Sequence, residues 1–304
     1  MSEVISYSSG SAAILAIFFL LKPTRVWVEH LSVDAMPTFE FISQIFPFEI
    51  KVLPKSSEFQ SSNLNAQEQA KELIWVELMS LSTGKLSDYC EMIKGGMFSG
   101  YKVAVDASYC PPPFCFPLKH GFDVAVYSKP AVVLGPHGPT SGYVAIESPK
   151  EAEKLLLDRT DMGPVLGNLN AWNSVRCLKT YALRSQSQSD TARKILEWLK
   201  GQTLAAIKDI HACDVTMMEP YLPPVISIQF LSDEIAKEAS AAFDIHSSRG
   251  NHFRNVSKLV LSLHEPSEIG LCRLDVGLEG FDALKSTLVL TFDDLAHPNT
   301  VPDH

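Results

Sequence analysis

The feature that most constrains the fold is an alternation of apolar, strand-like segments with helical ones in the first half of the chain. Segments rich in β-branched and aromatic residues recur at 25–31, 48–54, 72–78, 101–108 and 122–128. Between them, 64–72 and 84–94 have the pattern of helices. Because parallel strands need crossover connections, this order predicts an α/β fold with a mostly parallel sheet covered on both faces.

The pattern changes after Gly201. Strand-like segments at 223–230 and 257–265 flank a helical segment at 232–243, which is typical of an α+β module. An amphipathic helix is predicted just before the change, at 190–200, with Asp190 as its N-cap. We therefore expect a large domain at 1–202 and a small C-terminal domain at 203–304.

Composition excludes several classes of partner and compartment. The chain carries 26 Lys and Arg against 35 Asp and Glu, a net charge of −9, which argues against binding to nucleic acid or to an anionic membrane. The six cysteines form no CxxC pair, so we expect reduced thiols in a cytoplasmic protein and no metal site. The apolar run 12–21 is too short to span a bilayer, and Glu3 rather than a positive charge precedes it. A buried helix is the better interpretation.

Four places along the chain could carry chemistry. A Ser-Gly stretch leads into the first helix, whose free amides could bind an anion. Asp106 and the pair Ser128-Lys129 stand at the carboxyl ends of strands, where open α/β sheets bind ligands. Arg273 lies inside an apolar run. Each also has a structural interpretation, because Ser-Gly before a helix is commonly a cap and a strand arginine commonly snorkels or forms a salt bridge.

Three of these places lie in motifs that occur together, in order, in one enzyme family. The motifs are "SSGSAAI" (8–14), "VDASY" (105–109), "LKTYALR" (178–184) and "CRLDVGLEG" (272–280). With them the chain resembles the trans-sulfuration family of pyridoxal-phosphate enzymes, which includes cystathionine γ-synthase, the cystathionine lyases and methionine γ-lyase. The resemblance implies a large cofactor domain of the fold-type-I kind, a small C-terminal domain, an amino-acid substrate and a homo-oligomer, usually a tetramer built from dimers.

The resemblance also implies roles for single residues. Gly10 and Ser11 would offer backbone amides to the cofactor phosphate, and Ser128 would add its hydroxyl. Asp106 would pair with the pyridine nitrogen and keep it protonated. Arg273 would hold the α-carboxylate of the substrate in a bidentate fork.

The chain departs from the family pattern where the cofactor lysine is expected. That lysine forms a Schiff base, and in "SKPAVVLGPH" (128–137) either Ala131 or Val132 takes its place. Lys129 is the nearby amine, but it directly precedes Pro130, which restricts the backbone. The tyrosine that the resemblance leads us to expect, stacked on the cofactor ring, is missing from 29–39, and the Asn-Pro expected after "WVE" (75–77) is replaced. The resemblance starts at about residue 7, so we expect the family's N-terminal arm to be missing.

Two functions from different classes follow. The first is a divergent enzyme that performs β- or γ-elimination or replacement on a sulfur-containing or γ-substituted amino acid, with Lys129 as its catalytic amine. The second is an inactive family member, a regulatory or scaffold subunit that associates with itself or with an active paralogue. A truncated product that folds poorly alone is a third reading. Without a lysine in register, no side chain is available to exchange the Schiff base or to move the substrate proton. This favours the second function.

Overall fold

The structure, a computed structural model, describes most of the chain and divides it into two units. The described residues are 2–29, 31, 35–53, 71–79, 86–87, 89–96, 98–135, 138–202, 204–212, 221–248, 258–261 and 270–296. The boundary between the units falls between Lys179 and Thr180.

The first unit alternates strands and helices. Its described elements are β1 (Glu3–Tyr7), α1 (Gly10–Leu21), β2 (Arg25–Val28), α2 (Met36–Ser43), β3 (Glu49–Val52), β4 (Glu72–Glu77), α3 (Tyr89–Lys94), β5 (Lys102–Asp106), a 3-10 helix (Pro117–His120), β6 (Val124–Tyr127), α4 (Ala131–Leu134), β7 (Gly142–Ile146), α5 (Pro149–Met162) and α6 (Asn168–Leu178). The five strands predicted from the sequence are present as β2 to β6. Of the helix predicted at 64–72, residues 64–70 lie outside the described part.

The strands form a seven-stranded mixed sheet in the order β1-β7-β6-β5-β4-β2-β3. Neighbouring strands from β6 to β3 run parallel, whereas β7 is antiparallel to both β6 and β1. All six residues of β4 and all four of β6 are buried, as expected for a sheet covered on both faces. The predicted α/β fold with a mostly parallel sheet is therefore confirmed, with an antiparallel edge that the sequence pattern did not reveal.

Helix α1 explains the apolar run near the N-terminus. Its side chains Ile17 and Phe18 are fully buried, and the Phe18 ring meets Phe39 of α2 edge to face at 5.4 Å between centroids. The helix ends at Leu21 and is capped by Lys22, which is left-handed (φ 47°) and whose amide donates to the carbonyl of Phe18. The run is thus a core helix. In the part of the chain that the structure describes, no helix is both long and apolar enough to cross a membrane.

The second unit is a smaller α+β module. Its described elements are α7 (Tyr181–Lys200), β8 (Ile207–Ala212), β9 (Val225–Phe230), α8 (Asp233–Ser248), β10 (Lys258–Leu261), β11 (Leu271–Asp275) and α9 (Phe281–Ala296). The strands form an antiparallel sheet in the order β10-β11-β9-β8. This is the α+β module expected in the C-terminal part of the chain.

Helix α7 places the boundary earlier than the expected position near residue 202. Its buried side chains, Ala192, Ile195 and Leu199, pack in the core of the second unit. The helix also begins at Tyr181 rather than at 190, so the prediction that Asp190 is an N-cap is wrong. The polar run before Asp190 continues the helix, and a serine hydroxyl there bonds the helix backbone: the Ser185 hydroxyl donates to the Ala182 carbonyl at 3.0 Å.

Replacement of Ile195 tests to which unit α7 belongs. Ile195→Ala should lower the free energy of unfolding by about 2–4 kcal/mol, because it leaves a cavity in the core of the second unit. Glu197→Ala, at an exposed position of the same helix, serves as the control and should change stability by less than about 0.5 kcal/mol. Hydrogen exchange should show lost protection in β9, β11 and α9. Lost protection confined to β1–β7 would contradict the assignment.

Candidate functional site

Three polar side chains meet at the carboxyl ends of β5 and β6. Asp106 is only 4% exposed, and its carboxylate accepts hydrogen bonds from the backbone amide of Ser108 at 2.9 Å and from the Ser108 hydroxyl. The Ser128 hydroxyl donates to the other carboxylate oxygen of Asp106. We call these three residues the strand-end cluster. The structure thus brings together two of the residues that the sequence singled out, Asp106 and Ser128.

Ser108 is a member of the cluster that the sequence reasoning missed. Besides donating to Asp106, its hydroxyl accepts the backbone N–H of Lys129 at 2.9 Å, so it links the loop after β5 to the loop after β6. The signal was present in "VDASY": an aspartate followed two residues later by a serine is typical of a turn in which the carboxylate accepts the amide at i+2.

Burial and a neighbouring acid raise the pKa of the Asp106 carboxyl. Desolvation is the largest cause; the hydrogen bonds from Ser108 and Ser128 oppose it, and the charge of Glu77 adds to it. Glu77 ends β4, is 1% exposed, and lies beside Asp106 in the parallel ladder. A buried carboxylate in such surroundings favours a cationic partner, and a protonated ring nitrogen is one. The described residues contain no group of three His, Cys, Asp or Glu side chains that could bind a metal ion.

The first turn of α1 lies directly against the cluster. Ser9 caps the helix, with its hydroxyl accepting the Ala12 amide at 3.1 Å. Gly10 packs so closely that a Cβ atom there would lie 1.9 Å from the carbonyl oxygen of Ser128. Glycine at this position therefore has a packing reason, independent of any ligand. Ser11 is exposed, and its hydroxyl lies 3.0 Å from that of Thr38.

These residues fit a pyridoxal phosphate in part. The buried Asp106 carboxylate suits a ring N–H, and the first-turn amides of Gly10 and Ser11 suit a phosphate. Ser128, expected on the phosphate, instead donates its hydroxyl to Asp106. It could serve a phosphate only by giving up that bond.

The segment where the cofactor lysine is expected does not fit a covalent attachment. Both positions aligned with that lysine, Ala131 and Val132, lie on the short helix α4, whose four side chains are all apolar. The helix starts at once after Pro130, whose carbonyl accepts the Leu134 amide at 2.7 Å. Lys129 is half-buried between β6 and this helix. The described residues therefore suit a cofactor that is held without a covalent bond.

Arg273 belongs to the second unit. It lies on β11, and its guanidinium forks onto Asp275 of the same strand, with Nε 2.8 Å and Nη2 3.0 Å from the two carboxylate oxygens. A salt bridge was one of the structural interpretations that the sequence allowed for Arg273, and the structure contains it. The binding of a substrate carboxylate by Arg273 stays a prediction.

A family model and several known proteins match this chain in sequence. The family model described as Cys/Met metabolism PLP-dependent enzyme matches residues 2–215. A canavanine γ-lyase of Rhizobium leguminosarum bv. trifolii is 27% identical over 210 residues, which are 66% of this chain and 50% of the relative. The chain thus spans about half the length of the curated relatives it matches.

Solved structures share the fold at lower identity. The cystathionine γ-lyase of Lactobacillus plantarum, complexed with L-serine, superposes with a TM-score of 0.78 at 19% identity, covering 96% of this chain and 82% of that one. A putative O-acetylhomoserine (thiol)-lyase of Campylobacter jejuni, which contains N′-pyridoxyl-lysine-5′-monophosphate, gives 0.77 at 17% identity, covering 95% and 81%. They support the fold assignment.

A methyl group at Gly10 tests the packing of α1 against β6. Gly10→Ala should destabilise the protein by about 3 kcal/mol, because the new Cβ meets backbone that cannot rotate away. Gly167 begins α6 with open space around it, so Gly167→Ala should cost less than about 1 kcal/mol. Urea unfolding measures both, and equal effects would contradict the close contact.

Neutralising Asp106 tests the cause of its raised pKa. In the cofactor-free protein the folded state binds this proton more tightly than the unfolded chain. The free energy of unfolding therefore falls as pH rises from the ordinary aspartate value of 3.8 through the raised folded value. Asp106→Asn should remove this fall and raise stability at neutral pH, because the amide can accept from Ser108 and donate to Ser128 without a buried charge.

The control for this experiment is Glu197→Gln, the same chemical change at an exposed position of α7. Urea midpoints measured between about pH 4 and pH 7 should be nearly unchanged for the control. An Asp106→Asn variant that is less stable than the parent at neutral pH would contradict the assignment.

Proposed function

Because the chain belongs to the Cys/Met metabolism PLP-dependent enzyme family, we propose that it is a non-catalytic member that holds pyridoxal phosphate without a covalent bond. In this role it serves as a regulatory or scaffold subunit in amino-acid metabolism. When bound, the cofactor supplies an electron sink for bonds at the α-carbon of an amino acid. The chain's own residues are better suited to binding the cofactor than to catalysis with it.

The observation that carries the proposal is the replacement of the lysine-bearing segment by α4. Ala131 and Val132 have neither a nucleophile nor a group that can move a proton. In contrast, Asp106 remains buried at the strand end, and Gly10 and Ser11 keep a helix N-terminus beside it. Asp106 and the first-turn amides of α1, which would hold the ring and the phosphate, are thus present, whereas an amine at the position of the cofactor lysine is not.

The binding of the cofactor should be weak on this account. The missing tyrosine removes about 1 kcal/mol of ring contact, and the Ser128 hydroxyl must give up its bond to the Asp106 carboxylate before it can donate to the phosphate, which costs roughly 1.5–3 kcal/mol. Since each 1.4 kcal/mol is about tenfold in affinity, we expect dissociation constants in the micromolar range or weaker.

An exposed apolar face supports a subunit role. On α6, Leu169 is 76% exposed, Trp172 62% and Val175 57%. Residues three apart lie along the same side of a helix, so these side chains form an apolar strip. Such strips mark surfaces that bind other proteins. This favours association with an active paralogue or with a second copy of the chain.

A second candidate function is a divergent enzyme that uses Lys129 for β- or γ-elimination or replacement on a sulfur-containing or γ-substituted amino acid. The observation in its favour is the bond from the Lys129 amide to the Ser108 hydroxyl, since Ser108 also bonds Asp106. The backbone of Lys129 is therefore joined to the strand-end cluster through one side chain.

Chemical trapping separates the two functions. The protein is incubated with pyridoxal phosphate, reduced with borohydride, and its peptides are analysed by mass spectrometry. We expect only low-level labelling of exposed lysines, the same in the parent and in Lys129→Ala. The control is Lys119→Ala, which removes an exposed lysine on the 3-10 helix. A stoichiometric pyridoxyl group on Lys129, absent from Lys129→Ala alone, would establish the second function instead.

A further inference from the structure

The guanidinium of Arg273 already holds a carboxylate. Its Nε and Nη2 atoms donate to Oδ1 and Oδ2 of Asp275 at 2.8 and 3.0 Å, which is the parallel two-bond arrangement that arginine forms with carboxylates. The Arg273 side chain is 12% exposed and that of Asp275 30%. The pair is therefore more shielded from water than an ordinary surface ion pair.

The sheet fixes this pair in place. Arg273 and Asp275 are two apart on β11, so both side chains lie on the same face of the sheet. The intervening residue Leu274 and the preceding Cys272 point to the other face and pack in the core of the second unit. β11 is held between β10 and β9, so neither member of the pair can move away by a shift of its strand.

A free carboxylate would have to compete with Asp275 for the same donors. Even a flexible tether gives a neighbouring group an effective concentration in the millimolar range, and the regular strand holds Asp275 closer than a flexible tether would. An amino acid at millimolar concentration therefore has no advantage over the internal carboxylate. Nor can both bind through the same fork, because Nε and Nη2 each already donate to Asp275. A carboxylate that approached the other edge of the guanidinium, between Nη1 and Nη2, would meet a cation whose charge Asp275 already offsets.

We propose that Asp275 occupies the carboxylate-binding fork of Arg273, and that the chain for this reason does not capture the α-carboxylate of a free amino acid there. Asp275 is then a specificity-determining residue that acts as an internal competitor. The inference rests on Arg273 as the carboxylate site and deepens the proposed non-catalytic function, but it does not depend on Lys129.

Removing the charge of Asp275 tests the proposal. The probes are L-methionine and L-methioninamide, which lacks the carboxylate, and binding to the full chain is measured by isothermal titration calorimetry with and without pyridoxal phosphate. The parent should bind the acid no better than the amide. Asp275→Asn should bind L-methionine at least about tenfold more tightly than the parent does, with no gain for the amide. Adding Arg273→Gln to Asp275→Asn should abolish the gain.

The control variant is Asp209→Asn. Asp209 is 53% exposed on β8 of the same sheet, where it pairs with His211 at 3.0 Å, so the change in net charge is the same but Arg273 is untouched. This variant should behave like the parent. A gain in L-methionine binding equal to that of Asp275→Asn would show a general charge effect and would overturn the proposal.

The parent protein supplies an independent readout if Asp275→Asn does not fold. Nitrogen-15 NMR of the Arg273 Nε–H should show no shift on addition of L-methionine. A saturable shift, absent with L-methioninamide, would overturn the proposal. These outcomes are distinct from a failure of the proposed function, because a pyridoxyl group trapped on Lys129 would leave the Arg273–Asp275 pair and its competition with amino acids unchanged.

Discussion

The buried carboxylate of Asp106 is the constraint on which the candidate site depends. A charge at the end of a covered strand must be met by donors or by a cation, and here Ser108 and Ser128 supply the donors. These bonds fasten the loops after β5 and β6 to each other. The close approach of Gly10 to Ser128 then fixes the start of α1 against the same point.

Two anchors of the expected chemistry are altered in different ways. The position of the cofactor lysine lies on the apolar helix α4, where no side-chain rotation can supply an amine. Arg273 is retained, but its fork is engaged by Asp275. Asp106 and the first-turn amides of Gly10 and Ser11 are present, whereas Ser128 is engaged by Asp106, so the changes affect the reaction, the capture of substrate and part of the cofactor contacts. That pattern supports the proposal of a non-catalytic subunit.

Much of the fold and part of the site followed from the sequence. The central strands β4 to β6 were predictable because their apolar, β-branched runs are buried on both faces of the sheet. The edge strand β1 was not, because Val4 is 61% exposed there and the alternation is weak over five residues. The length of helix α7 was underestimated because a run rich in serine is typical of a loop. In the structure the Ser189 hydroxyl is buried and accepts the Leu222 amide at 2.8 Å. Such long-range partners cannot be read from local pattern.

The central claim is that the site holds its cofactor without a covalent bond. It is tested most directly by comparing the dissociation constants of pyridoxal phosphate and of 4′-deoxypyridoxine phosphate, which differs only in having a methyl group in place of the aldehyde. If the ring and phosphate contacts alone provide the affinity, the two constants should agree within about threefold, a difference of less than 1 kcal/mol. Binding of pyridoxal phosphate that is a hundredfold tighter or more would contradict the account, because only a covalent bond to the aldehyde distinguishes the two compounds.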